Sequence, residues 1–297
     1  MATRVKPDFS DLVEATAVAS NPVLRGFERT GRPGTGGGNG GVVPPPPSAS
    51  QMNQWYAQPA YGEAPARQAP SRYLTLDDVI TRTVLLIATM LVAAGIAWFV
   101  IPDSAVGGIA ALGVLGALGL GLYMGFSGRA NAGTTVTYAA LEGLALGAIS
   151  ELFNRQWPGI VVQAVAGTIM VAGGVLVVYK TGAVRVTPRF TKIVFASTLG
   201  VFGLMLVNVI ASLFTPGGLG LRDPQTNLGI AIIFSLLCIV IAAANLIVDF
   251  DMIEQSVRRG TDERFGWYLS WGILVTLVWL YLEILRLLSY LNGGRNN

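Results

Sequence analysis

The sequence predicts an all-α integral membrane protein, a bundle of seven transmembrane helices behind a disordered N-terminal tail. Three observations predict it. Of the 297 residues, 52% are hydrophobic and only 12% are charged, about half the charged share of a soluble domain. The apolar residues gather into seven runs of roughly 20, the length that spans a hydrocarbon core as a helix. The front of the chain has no such run and is rich in Gly and Pro instead.

Residues 1–72 form that front. It holds GTGGGNGG at Gly34–Gly41 and four prolines at Pro44–Pro47. Such sequence cannot bury enough apolar surface to offset the entropy of ordering, so it reads as a disordered tail. The glycine run is no phosphate loop, because no GK[ST] follows it. The front also lacks the apolar stretch of a cleavable signal peptide.

The seven-helix domain covers 73–293. Thr75 or Asp77 can cap the first helix, and acids suit a helix N-terminus. The first span runs from about 80 to 101 and stops at Pro102-Asp103. The second, about 106–126, carries Gly121 and Gly125. The third, about 136–153, carries Gly143 and Gly147. These small-xxx-small pairs allow close helix approach. The fourth, about 159–179, follows Trp157-Pro158, and the fifth, about 190–214, ends before Pro216-Gly217-Gly218. The sixth is expected over 228–250 and the seventh over 267–291.

Basic residues set the orientation. Eleven Lys and Arg lie on one set of flanks, among them Arg72, Arg129, Lys180, Arg189 and Arg258, against four (Arg155, Arg222, Arg286 and Arg295) on the other. The N-terminus is therefore expected in the cytoplasm and the C-terminus outside, in the plasma (inner) membrane. Basic residues spread over membrane flanks give no support to nucleic-acid binding. The bilayer is the expected partner, and the sequence names no protein partner.

Charge inside the spans is where chemistry is expected, because an ionised group in hydrocarbon is costly. AAANLIVDFDMIE, residues 242–254, brings Asp249, Asp251 and Glu254 straight after an uncharged run. Asn245 lies four residues before Asp249 on the same helical face. The plainest account is a helix reaching water at Asp249. Glu142 sits near mid-membrane in TYAALEGLALG, as a hydrogen-bonded acid or an ion-binding one. Glu283, in VWLYLEILRLL, is within reach of Arg286 at i+3. Thr276 shares a helix face with Glu283 seven residues away. Asn208 and Ser235 read as interhelical hydrogen-bonders.

There is no histidine and one cysteine, Cys238. That disfavours common zinc sites and Ser-His-Asp chemistry, and no enzyme activity is expected. A pH response near neutrality must then come from carboxylates. Carboxylates are also the oxygen ligands that a hard cation such as calcium takes. No cofactor is expected, with calcium and protons as possible transported ions.

Seven spans, VDFDMIEQSVRRG entering a short loop, VYKTGAVRVTPRFTKIV between the fourth and fifth spans, and the final VTLVWLYLEILRLL together resemble the Bax inhibitor-1/YccA family. The sequence is most similar to its actinobacterial branch. The resemblance covers about residues 74–293. It implies a bundle with the C-terminal helix at its centre and a pH-sensitive calcium leak. It also implies a sensing pair of aspartates, one on the sixth helix and one on the seventh. Counting back eleven residues from Gly260 puts Asp249 at the first position, with Asp251 a near alternative. The second position has no aspartate: alignment from the end of the helix puts Thr276 there. Either Glu283 or Glu142 substitutes, or this branch gates differently.

Two functions follow. One is a proton-regulated calcium leak channel or cation/proton exchanger, with Asp249, Asp251, Glu142 and Glu283 as the pH-sensing and ion-binding acids and Asn245, Asn208 and Thr276 as polar support. The other is a non-transporting scaffold that binds a membrane protease or another partner. Carboxylates converging on one cavity favour the first, and carboxylates dispersed to separate polar ends favour the second.

Overall fold

The computed structural model describes residues 48–50, 72–215 and 218–293. The chain divides into two compact units, Met1–Arg67 and Gln68–Asn297. Nearly all of the expected tail lies outside the described residues. The second unit holds seven helices: α1 Leu76–Phe99, α2 Asp103–Ser127, α3 Ala132–Gln156, α4 Ile160–Lys180, α5 Pro188–Ser212, α6 Pro224–Arg258 and α7 Phe265–Gly293. All seven are long and apolar enough to cross a membrane. Leu112, Val162, Met170 and Ile233 point outward at 68–75% exposure. Such a surface suits lipid and not water, and the chain is a multi-pass membrane protein.

Local chemistry sets the helix starts. The Thr75 hydroxyl accepts the Asp78 N–H at 3.2 Å, while the Asp78 carboxylate accepts the Thr75 N–H at 3.0 Å. This reciprocal cap satisfies two orphan donors, and Asp78 fills the acidic role rather than Asp77. Asn131 and Thr134 form the same box on α3. Thr187 caps α5, with Pro188 pre-set for its first turn.

The sixth helix departs most from expectation. Its span starts where expected, after a break in helical geometry at Asn227. It does not stop at 250 but runs to Arg258, because Ile253 and Ser256 continue its buried face past the acids. Asp249 is therefore inside the helix and not at a solvated end.

Helix α7 is the centre. It packs on α6, α1, α4 and α3 and is the most buried of the seven. Its buried positions run in two stripes, Leu269-Ile273-Thr276-Leu280-Ile284 and Ser270-Leu274-Val278-Leu285. Two stripes on one helix require neighbours on two sides. Helix α3 seats α1 on Gly143 and Gly147, where any side chain would collide with the Met90 and Ala94 carbonyls. On α2 the closest approach is at Gly113, whose Cβ would lie 2.8 Å from the Leu141 carbonyl oxygen. The expected pair Gly121 and Gly125 meets the rings of Tyr138 and Trp271 instead, since α2 crosses α3 nearest at Gly113.

A short backbone clasp ties the start of α1 to the α6–α7 loop. Leu74 N–H donates to the Thr261 carbonyl at 2.9 Å, and Glu263 N–H to the Arg72 carbonyl at 3.1 Å. Arg82 reinforces it by donating to the Glu263 carbonyl while its guanidinium lies 5.0 Å from the Trp267 ring centre.

Candidate functional site

The three acids of the 242–254 stretch go to three different places. Successive positions on a helix are 100° apart, which turns residue 249 well away from residues 251 and 254. Asp249 turns to the central helix: its Oδ2 accepts from the Thr276 hydroxyl at 2.7 Å. Thr276 is 7% exposed, and its oxygen also lies 3.2 Å from the Gly272 carbonyl one turn earlier. Gly272 leaves room for the carboxylate, since a Cβ there would sit 3.9 Å from Asp249 Oδ1. Leu246, Ile247, Phe250 and Ile273 belong to the apolar cluster around this contact. Among the described ion pairs none includes Asp249.

Asp251 stays on its own helix, accepting from Gln255 Nε2 at 2.5 Å. Glu254 accepts from the Tyr179 hydroxyl of α4 and from Arg258. Asn245 faces away from Asp249's partner. Its amide donates to Thr198 Oγ1 on α5 at 2.7 Å and to the Ile241 carbonyl at 2.8 Å. It is the link between α5 and α6 rather than part of the Asp249 contact.

Glu283 is 2% exposed. The expected Arg286 contact is present at 3.2 Å, but Arg222 is closer, at 2.6 Å to the same oxygen. Among the described residues Oε2 has no hydrogen-bond partner. Arg222 comes from the α5–α6 loop and is held by Phe234, 5.5 Å from its guanidinium carbon, and by Tyr290, whose hydroxyl donates to the Arg222 carbonyl at 2.9 Å. Sequence reasoning placed Arg222 on a flank and missed this pairing. The available signal was a buried acid of the seventh span at the membrane level where that loop enters.

Glu142 is half-buried and lies near the Tyr138 hydroxyl one turn earlier. The Tyr138 ring meets Trp271 of α7 edge-on, 5.9 Å between centres. Asn208 does not bridge helices as expected. Close to the end of α5, it meets the loop first, and its Oδ1 accepts the Leu219 N–H at 3.0 Å. Ser235 is fully buried, and its hydroxyl has no hydrogen-bond partner among the described residues.

Asp249, Glu283 and Glu142 thus occupy separate polar contacts, each on a different partner. Among the described residues no three acidic, histidine or cysteine side chains are grouped closely enough to hold a metal ion.

The model of the Bax inhibitor 1 like family matches residues 21–293 of this chain. The chain belongs to that family. A search of curated proteins found no match. In this Bax inhibitor 1 like protein Asp249 of the sixth helix faces a threonine of the seventh helix. Thr276 donates to the Asp249 carboxyl group and remains neutral at every accessible pH. One proton on Asp249 therefore decides the charge of the contact between α6 and the central helix. A charge-assisted hydrogen bond is roughly twice as strong as a neutral one, so that proton also changes how firmly the two helices are joined.

Proposed function

We propose that the protein is a proton-responsive cation leak of the plasma (inner) membrane, with calcium as the expected ion and Asp249 as its sensing group. The N-terminus is cytoplasmic and the C-terminus outside, on the strength of the eleven-to-four distribution of basic flanks. The observation that carries the reading is the Asp249–Thr276 bond between α6 and α7. It joins a carboxylate that is in no ion pair among the described residues to the helix on which the bundle is built. Protonation weakens that bond and removes a cation-attracting charge in one event. Glu283 is a weaker candidate for ion binding, because two guanidiniums already occupy it.

The dispersal of the carboxylates favours a second reading, a non-transporting scaffold. Calcium flux into liposomes carrying the purified protein at pH 6, 7 and 8 separates the two. The leak requires flux that varies with pH in the wild type. In Asp249→Asn, a neutral isostere of the protonated acid, flux should stay at the wild-type pH 6 level throughout. Flux no greater than in empty liposomes at every pH would leave the scaffold.

A further inference from the structure

Helices α1 and α4 both lie against α7, and between them runs a groove of about 1500 Å³. Helices α3, α6 and α7 form its floor, and its walls extend along α1 from Leu76 to Phe99. At 1.5 Å per residue this is about 35 Å, the depth of a hydrocarbon core. The lining is apolar along this length, as at Leu91, Ile169 and Leu277, and becomes charged at one end, where Lys180, Glu254 and Arg258 meet.

Two features point to an occupant. Gly95 on one wall and Gly173 on the other line the groove, and a Cβ at either position would find nothing within 4 Å. Glycine in a helix costs about 1 kcal/mol against alanine, and here close helix packing does not offset it, in contrast to Gly143 and Gly147. What these glycines provide is width. The second feature is charge. Glu254 is engaged by Arg258 and Tyr179, and no described ion pair includes Lys180. The charged side chains that line this end, two basic and one acidic, sum to one positive charge beside an apolar channel.

We infer that the groove is a binding site for an anionic phospholipid, its acyl chain lying between Gly95 and Gly173 and its phosphate between Lys180 and Arg258. One net positive charge beside the headgroup corresponds to a preference of about 5-fold over a zwitterionic headgroup. The full-length protein, reconstituted in nanodiscs of equal phosphatidylglycerol and phosphatidylcholine with matched chains, is released and its retained lipid counted by native mass spectrometry. The wild type should keep phosphatidylglycerol in preference. Lys180→Gln/Arg258→Gln should lose the preference while retaining lipid. Gly95→Trp/Gly173→Trp, which fills the groove, should lose the retained lipid. Equal retention of both lipids by the wild type, or a preference unchanged in Lys180→Gln/Arg258→Gln, would overturn the assignment. The charge variant alters only exposed or partly exposed side chains, so its outcome stands even if the tryptophan variant does not fold.

Discussion

Replacing Glu283 by glutamine keeps the side chain's shape and removes its charge. In the folded protein one oxygen of Glu283 holds both Arg222 and Arg286, at 2.6 and 3.2 Å, and the carboxylate is 2% exposed. At an effective dielectric near 20, charges about 4 Å apart interact by about 4 kcal/mol each. Desolvation of the acid offsets much of that in the intact site. Removing the acid leaves two partly buried guanidiniums without it, and breaking such a site costs about 3–5 kcal/mol. For a domain of this size that corresponds to a drop in melting temperature on the order of 10 °C. Arg222→Gln leaves the Arg286 contact and should cost less, about 1–3 kcal/mol. Because the two residues touch, Arg222→Gln/Glu283→Gln should fall short of additivity by about 1–3 kcal/mol. Thermal unfolding in detergent, followed by intrinsic tryptophan fluorescence, measures all three. A melting temperature for Glu283→Gln within about 2 °C of wild type, or additive losses in the double variant, would refute the reasoning.

Two further outcomes are expected. Gly147→Leu should abolish a monodisperse folded peak in size-exclusion chromatography, since it drives a side chain into the Ala94 carbonyl, whereas Gly119→Leu, in open space, should elute as wild type. Thr276→Val removes the donor to Asp249 and should cost about 1–3 kcal/mol; its calcium flux should lose the wild-type pH profile while Thr276→Ser retains it, and a wild-type profile in Thr276→Val would detach the contact from gating.

Much of the site was legible residue by residue. Asp249 stands out because an acid follows an uncharged run, and Thr276 only through what the family resemblance implies. Their meeting at 2.7 Å required the tertiary structure. Glu142 and Glu283 were visible as costly charges, but their partners were only partly so. Arg286 was readable at i+3, whereas Arg222 lies 61 residues from Glu283 in sequence, and no periodicity connects a loop to a distant helix. The end of α6 was misread because a hydropathy pattern stops at the first acids. The helix continues because Ile253 and Ser256 pack against protein on one face of its next two turns.

The sequence by itself determined the seven spans, the cap of the first at Thr75, and the glycine seat on α3. Each depends on run length, on a side chain three residues away or on a four-residue spacing, and all of these are local. Only the tertiary structure decided which face of each helix meets protein. In a bilayer the lipid side and the protein side of a helix are both apolar, so hydropathy does not distinguish them. The pairing of Asp249 with Thr276, Glu254 with Tyr179 and Glu283 with Arg222 follows from packing around α7, where a buried polar group must find whichever partner the neighbouring helix or loop presents.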